Sequence, residues 1–428
     1  MLTISGTDKS RFCDGVARRD FLKIGAMGIG GFTLADLLRA EAEAGIGSSN
    51  KAVINIHLGG GPSHQDMFDL KPEAASEYRG EFSPINTNVP GFDICEHFPK
   101  LATMADKFVA IRALVGSNSG HDSHQTHSGF NKRSLEAIGG RPSIGSVVAK
   151  LQGANAGAPP FVSYNGGSPG YLGPTYLPFS PNGRGSGLKN LRLERTLTAD
   201  RLTDRSQLLT SLDRIRRDID GKGEMAAMDR FTETAIDVVT SGRLADALDL
   251  KKEDPRIVAR YGKAGSAVLT ARRLIQVGVR VITMNAFGGW DTHSNNFKTL
   301  KDRNLPGIDQ SLSALIDDLE SHGMLDDVSI VMWGEFGRTP RVNARAGRDH
   351  WPRVAMAWMA GGGMQTGQAI GSTTRNAETA NNRPVHFQEV LATLYHNLGI
   401  DSKTAQLTDP AGRPQYLLEH RDPIAELV

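Results

Sequence analysis

The sequence has few cysteines, no long apolar run and no surplus of charge of one sign. Its two cysteines are Cys13 and Cys95. Cys13 falls in an N-terminal segment read below as a signal, which leaves Cys95 as one thiol with no partner, so an internal disulfide and a CxxC metal or redox site are both excluded. Cys95 is expected to be a small buried hydrophobe. No stretch of about 18 apolar residues follows the N-terminal segment, so the mature chain is expected to contain no membrane span. Lys plus Arg (49) nearly balances Asp plus Glu (47), giving a net charge of +2. Without a Lys/Arg stripe there is nothing to follow a phosphate backbone, which argues against nucleic acid as a partner. Internal repeats and low-complexity tails are also missing, which excludes solenoids and disordered tails.

What is present is an ordinary globular composition, 39% hydrophobic and 22% charged over 428 residues, ample for one large core. The N-terminus reads differently. Arg18-Arg19-Asp20-Phe21-Leu22-Lys23 has twin-arginine spacing, although Ala17 stands where Ser or Thr is usual. A short Gly-rich apolar run, Ile24 to Ala35, leads to the small-residue patterns Ala40-Glu41-Ala42 and Ala42-Glu43-Ala44. Charged region, apolar region and A-x-A site in that order predict a cleaved export signal over residues 1–44, a mature domain over 45–428, the twin-arginine translocase as a transient partner, and a periplasmic or secreted location. That route carries folded proteins and is compatible with a bound cofactor.

Beyond residue 50, short apolar runs alternate with helical patterns. Ala52–Leu58, Phe108–Val115, Phe161–Tyr164, Arg280–Ala286, Val328–Trp333 and Val354–Met359 read as buried strands, most of them running into glycine-rich loops. Helical periodicity covers Ile144–Leu151, Arg205–Ile219, Glu224–Val239, Ser266–Val277, Ile308–Ser321 and Phe387–Leu398. This alternation predicts an α/β fold, a mostly parallel central sheet with helices on both faces. Residues 166–187, rich in Gly, Pro, Ser and Tyr, read as a long surface loop over the active face.

Ligands of such sheets bind beyond the C-terminal strand ends, and the unusual polar residues gather there. Ser63, His64, Asp66 and Asp69 follow the first strand; His121, Asp122, Ser123, His124 and His127 follow the second. Asp291 and His293 follow the strand at Arg280, Glu335 and Arg338 the strand at Val328, and Asp349 and His350 come from a later loop. Imidazoles and carboxylates on successive strand ends can converge, and they suit Zn²⁺, Mn²⁺, Mg²⁺ or Ca²⁺. Arg338 beside them can clamp a tetrahedral anion through its planar fork. His322, His386, His396 and His420 read as structural or solvent-exposed.

Four phrases carry a family resemblance: Gly59-Gly60-Gly61-Pro62-Ser63-His64-Gln65-Asp66-Met67-Phe68-Asp69, Trp290-Asp291-Thr292-His293, Gly334-Glu335-Phe336-Gly337-Arg338-Thr339-Pro340 and Gly347-Arg348-Asp349-His350. With them the chain resembles the DUF1501 family of exported bacterial proteins, placed near the alkaline phosphatase and sulfatase superfamily. The resemblance implies an alkaline phosphatase-like three-layer sandwich. It also implies a divalent metal, with Asp291, His293 and His350 in one site, Glu335 in a second, and Asp66, His64 and His121 as further candidate ligands. The superfamily nucleophile stands at a helix N-terminus, ten residues before the Gly of a Thr-Gly pair. Ser128-Gly129 replaces that pair here, which points to Ser119.

Three positions depart from the superfamily. Gly59 or Gly60 stands where an Asp closes the first strand, with Asp66 as a candidate substitute; Phe336 stands where many phosphatases have a metal-binding His; and Ser119 lacks the Cys/Ser-x-Pro-x-Arg context of formylglycine sulfatases. The site is open to one metal, a rearranged pair, or no catalysis. The two readings are therefore a metal-dependent hydrolase of small-molecule or carbohydrate phosphate or sulfate esters, and a non-catalytic exported binding protein on a degenerate phosphatase-like scaffold. The export reading has its own test. Replacing Arg18 and Arg19 together by Lys should leave uncleaved precursor in the cytoplasm on cell fractionation; normal secretion of that variant would contradict the twin-arginine assignment.

Overall fold

A computed structural model describes residues 50–154, 158–181 and 241–428, together with Ile236. The expected signal over 1–44, the helix expected over 205–219 and, apart from Ile236, the helix expected over 224–239 lie outside the described residues. Eight strands form the central sheet: β1 (Ala52–His57), β2 (Phe108–Val115), β3 (Phe161–Ser163), β4 (Val281–Asn285), β5 (Val328–Trp333), β6 (Ala355–Gly361), β7 (Gln368–Ile370) and β8 (Val385–His386). Their spatial order is β7-β2-β6-β5-β1-β4-β3, with β8 pairing further along β2. Every pairing is parallel except the two made by β6, which runs antiparallel to β5 and β2.

The strands form where expected because both faces of the sheet are covered. All six residues of β1 and of β5 are buried, and continuous apolar runs are what two covered faces require. Alternate residues feed two separate cores. Ile54, Ile56, Ile282, Met284, Ile330 and Met332 pack on one face with the helices Ser266–Gln276 and Leu305–Ser321. Val53, Val281, Val331 and Trp333 pack on the other with α1 (Ile144–Gln152) and α2 (Phe387–Asn397). The result is a three-layer α/β/α arrangement, as the alternating pattern predicts. β7 and β8 were not apparent as strands, being too short for periodicity to register. Among the described residues no helix is long and apolar enough to cross a membrane. Cys95 is free and fully buried, and burial pushes its thiol up to about 12.

Two features of the sheet position the candidate site. The loops leaving β1, β2, β4 and β5 all emerge at one edge, because those strands are parallel. The reversed strand β6 starts at that same edge, with Ala355 beside Leu114 and Ala357 beside Trp333. Residues that lead into β6 therefore meet residues that follow the parallel strands. His350 belongs to this lead-in, in a short antiparallel ribbon where Arg338 pairs with His350 and Gly337 with Trp351.

Candidate metal centre

Asp291 is the meeting point. Its Oδ1 lies 3.0 Å from His293 Nε2, 3.1 Å from His350 Nε2 and 3.5 Å from His121 Nε2, and it accepts a 2.6 Å bond from Arg338. His293 Nε2 and His350 Nε2 are 3.1 Å apart. One donor atom each from His121, Asp291 and His350 fit within 4.8 Å of one another. Two imidazole nitrogens at that separation can share at most one proton. A cation between them would satisfy both lone pairs, with donors close enough for metal–ligand bonds of about 2.0–2.2 Å.

Two of the three imidazoles are backed by a carboxylate. His293 Nδ1 sits 2.6 Å from Asp349 Oδ1, and His121 Nδ1 sits 2.9 Å from Glu335 Oε1. A carboxylate that takes the Nδ1 proton fixes the tautomer and turns the Nε2 lone pair toward the centre, the arrangement usual behind metal-bound histidine. The bond from His293, ahead of the other contributions, holds the Asp349 carboxyl below the usual range. Partial burial pushes Asp291 up, but bonds from Arg338 and His350 and the charges of Arg338 and His293 outweigh it and hold Asp291 at about 2. Burial, helped by Arg338 and His121 and opposed by Asp291, lowers His350 below its ordinary value and favours the neutral ring that a metal needs. Phe336 lies under the rings, with centroids 4.4 Å from His350 and 5.2 Å from His121. At this position the chain supplies an apolar floor and no ligand.

The loop Gly59-Gly60-Gly61 threads through this assembly. Gly60 N–H donates to Glu335 Oε1 at 2.8 Å, and Gly59 accepts from Trp290 N at 3.0 Å. Gly60 has φ +115°, and a Cβ there would overlap the amide of Asp291, so the close approach requires glycine.

Several expected residues play other parts. Arg338 is fully buried and does not face an open cleft. It donates to the carbonyls of Gly61 (3.0 Å), Arg348 (2.9 Å) and Gly60, and to Asp291. Its fork is spent on the protein, which corrects its reading as an anion clamp. Asp66 is bound by Arg348 through two 2.8 Å bonds and also accepts from Ser63 (2.6 Å) and Asn296 (2.9 Å). Both are buried, so Asp66 neutralises an internal guanidinium and is not free for a metal. His64 is fully buried with neither ring nitrogen hydrogen-bonded to a described residue, and burial lowers it to about 4. Glu335 stands behind His121. Ser119 is exposed and hydrogen-bonds to none of the described residues, and the helix that follows begins at His124 with Ser123 as its N-cap, so Ser119 is not at a helix N-terminus.

Sequence reasoning missed His57. It closes β1, is 4% exposed, and lies with Nδ1 3.0 Å from Thr126 Oγ1 and Nε2 3.4 Å from Glu335 Oε2. In the sequence it reads as one more residue of the apolar run Ala52–Leu58. The available clue was Asn55 two residues earlier, a second polar residue on the same strand face. Asn55 is buried too, donating to Thr126 O (3.0 Å) and accepting from Trp333 Nε1 (2.8 Å). His127, also buried, is lowered to about 3 by burial, with His57 and His124 adding to the effect.

His64 and His127 make stability pH-dependent. Their folded values lie below 6.5, so the unfolded chain binds protons first as pH falls. Their stabilising contribution is complete above about pH 6.5 and is lost on the way down to their folded values. Urea denaturation should show a loss of roughly 2 kcal/mol for each between pH 7 and pH 5. His127→Phe should remove about half of that pair's share; equal stability of the wild type at the two pH values would contradict the assignment.

Comparison with known proteins places the chain in a family. Two solved structures are similar at low identity. One is described as "Crystal structure of Ps i-CgsB", with 10% identity, 82% of this chain and 72% of that chain covered, and TM-score 0.35. The other is described as "Crystal structure of PsFucS1 sulfatase from Pseudoalteromonas sp.", with 10% identity, coverage of 87% and 72%, and TM-score 0.37. No curated protein matches the chain. A family model described as "Protein of unknown function (DUF1501)" matches residues 50–428, nearly all of the chain beyond the N-terminal segment, and the chain belongs to that family.

Proposed function

We propose that this chain is an exported metal-dependent hydrolase of phosphate or sulfate esters on small molecules or carbohydrates. The observation that carries the reading is the convergence of His121, His293 and His350 Nε2 on Asp291 Oδ1, with Glu335 and Asp349 behind two of the rings. Three imidazoles and one carboxylate suit Zn²⁺ best, and Mn²⁺ next. Such a cation supplies Lewis acidity, polarising an ester oxygen and making a hydroxyl or water more acidic.

The chain's own residues do the rest. Arg338 holds Asp291 in place and balances its charge. Glu335 and Asp349 aim their imidazoles. Phe336 gives the centre an apolar side that excludes water. His121, Asp291 and His350 stay partly open to solvent, so a substrate can reach them. With Arg338 committed to carbonyls and Asp291, and the Nδ1 atoms of His293 and His121 committed to carboxylates, the anion's charge would fall to the cation. Ser119 lies two residues from His121 on the exposed loop and is the nucleophile to test, with Ser123 as the control.

One observation favours the non-catalytic alternative. Among the described residues Ser119 has no base on its hydroxyl, and Arg338 is not free, so two parts of a phosphatase-like mechanism are not assembled there. Turnover separates the readings. Zn²⁺- or Mn²⁺-loaded wild type should hydrolyse a generic aryl phosphate or aryl sulfate, and His350→Ala should lose at least about a hundredfold in kcat/KM, given the terms at stake in metal catalysis. Ser119→Ala should fall similarly if the serine attacks. Stoichiometric metal binding without turnover on either ester would leave the binding-protein reading.

A further inference from the structure

The buried pair His57 and Thr126 lies directly behind Glu335, and the proposed activity leaves both without a part. His57 closes the central strand β1 and contacts no donor atom of the centre itself. Glu335 Oε1 is fully used, by Gly60 N–H and His121 Nδ1. Its Oε2 is buried and carries no hydrogen bond, and His57 Nε2 faces it at 3.4 Å. A shift of about half an ångström would make that contact a hydrogen bond. An unsatisfied buried carboxylate oxygen is costly, so an oriented donor there has a strong effect on how the carboxylate sits.

The proton positions follow from the partners. Burial lowers His57 and so favours its neutral ring. A neutral ring has one N–H. Thr126 Oγ1 lies 3.0 Å from His57 Nδ1 and 3.0 Å from the carbonyl of Ser123, and its one proton serves one of them at a time; when it goes to Nδ1, the remaining ring proton is on Nε2 and points at Glu335. Thr126 is itself fixed, since its backbone carbonyl accepts from Asn55 of the same strand. In that arrangement a chain runs Thr126 O–H, His57 Nε2–H, Glu335, His121 Nδ1–H, and ends on the His121 Nε2 lone pair that faces Asp291.

We propose that His57 is a positioning residue for the metal centre: it holds Glu335, which in turn aims His121. His57 does not bind the cation. This rests on the metal reading above but concerns residues that reading does not use. It predicts a particular pattern of loss, because an outer-layer change weakens metal affinity by roughly 10–100-fold without removing a binding site.

The test uses the full chain and Co²⁺ as a spectroscopic probe. Wild type should bind one Co²⁺ with visible d–d bands. His57→Leu should also bind one Co²⁺, at least about tenfold more weakly and with shifted bands. His57→Gln, whose amide can still donate to Glu335, should recover most of both. Thr126→Val should weaken binding in the same direction, and it is the variant to read if His57→Leu fails to fold. The inference is overturned if the folded variant of this pair that is read matches wild type in affinity and spectrum, or if His57→Leu or His57→Gln loses a whole equivalent of metal, which would make His57 a ligand. Failure of wild type to bind Co²⁺ or Zn²⁺ would overturn the metal reading itself, and this inference with it, so the two failures are distinguishable.

Discussion

The buried guanidinium of Arg338 is the interaction on which the rest of the centre depends. It sits on the turn after β5, yet its bonds go to three other segments: the carbonyls of Gly60 and Gly61 after β1, the carbonyl of Arg348 ahead of β6, and Asp291 after β4. A charge taken wholly out of water is tolerable only when each N–H finds an acceptor. The loops therefore cannot adjust one at a time, since moving any of them would strand part of a buried cation. The same requirement explains the glycines of the first loop, because the backbone must come close enough to present two carbonyls to one side chain. Arg348 repeats the device, fixed by Asp66 and the carbonyl of Tyr78.

Rigidity of this kind matters for chemistry because the ligating groups come from two strand ends, those of β2 and β4, and one lead-in. Loops are ordinarily the mobile part of an α/β protein. Here two internal guanidiniums and two carboxylate–imidazole pairs leave the donors little freedom, so a cation would meet a site already formed. The antiparallel strand β6 is what makes the set possible. Were it parallel, His350 would enter at the opposite edge of the sheet.

Much of this could be read from the sequence, and the exceptions share one cause. The alternation of buried strands and amphipathic helices was legible because a sheet covered on both faces needs unbroken apolar runs. The short strands Gln368–Ile370 and Val385–His386 carry no such pattern. At the centre, the clustering of Asp291, His293, His350 and His121 at strand ends was legible because parallel strands bring their ends together. The directions of side chains were not. Arg338 and Asp66 are the right residue types in the right loops, but both face inward, and burial decides whether a charge serves a ligand or the fold. Ser119 was placed by spacing to Gly129, and the helix starts later than that spacing implies. His57 was hidden because a histidine at the end of an apolar strand looks like its last core residue.

The central claim is that these side chains surround one divalent cation. Anomalous diffraction from crystals of the Zn²⁺-loaded chain, recorded on either side of the zinc edge, tests it most directly. One peak is expected at about 2.0–2.2 Å from Asp291 and from at least two of the Nε2 atoms of His121, His293 and His350, with Arg338 still bound to Asp291. A peak elsewhere, or none at these residues in the presence of stoichiometric zinc, would contradict it.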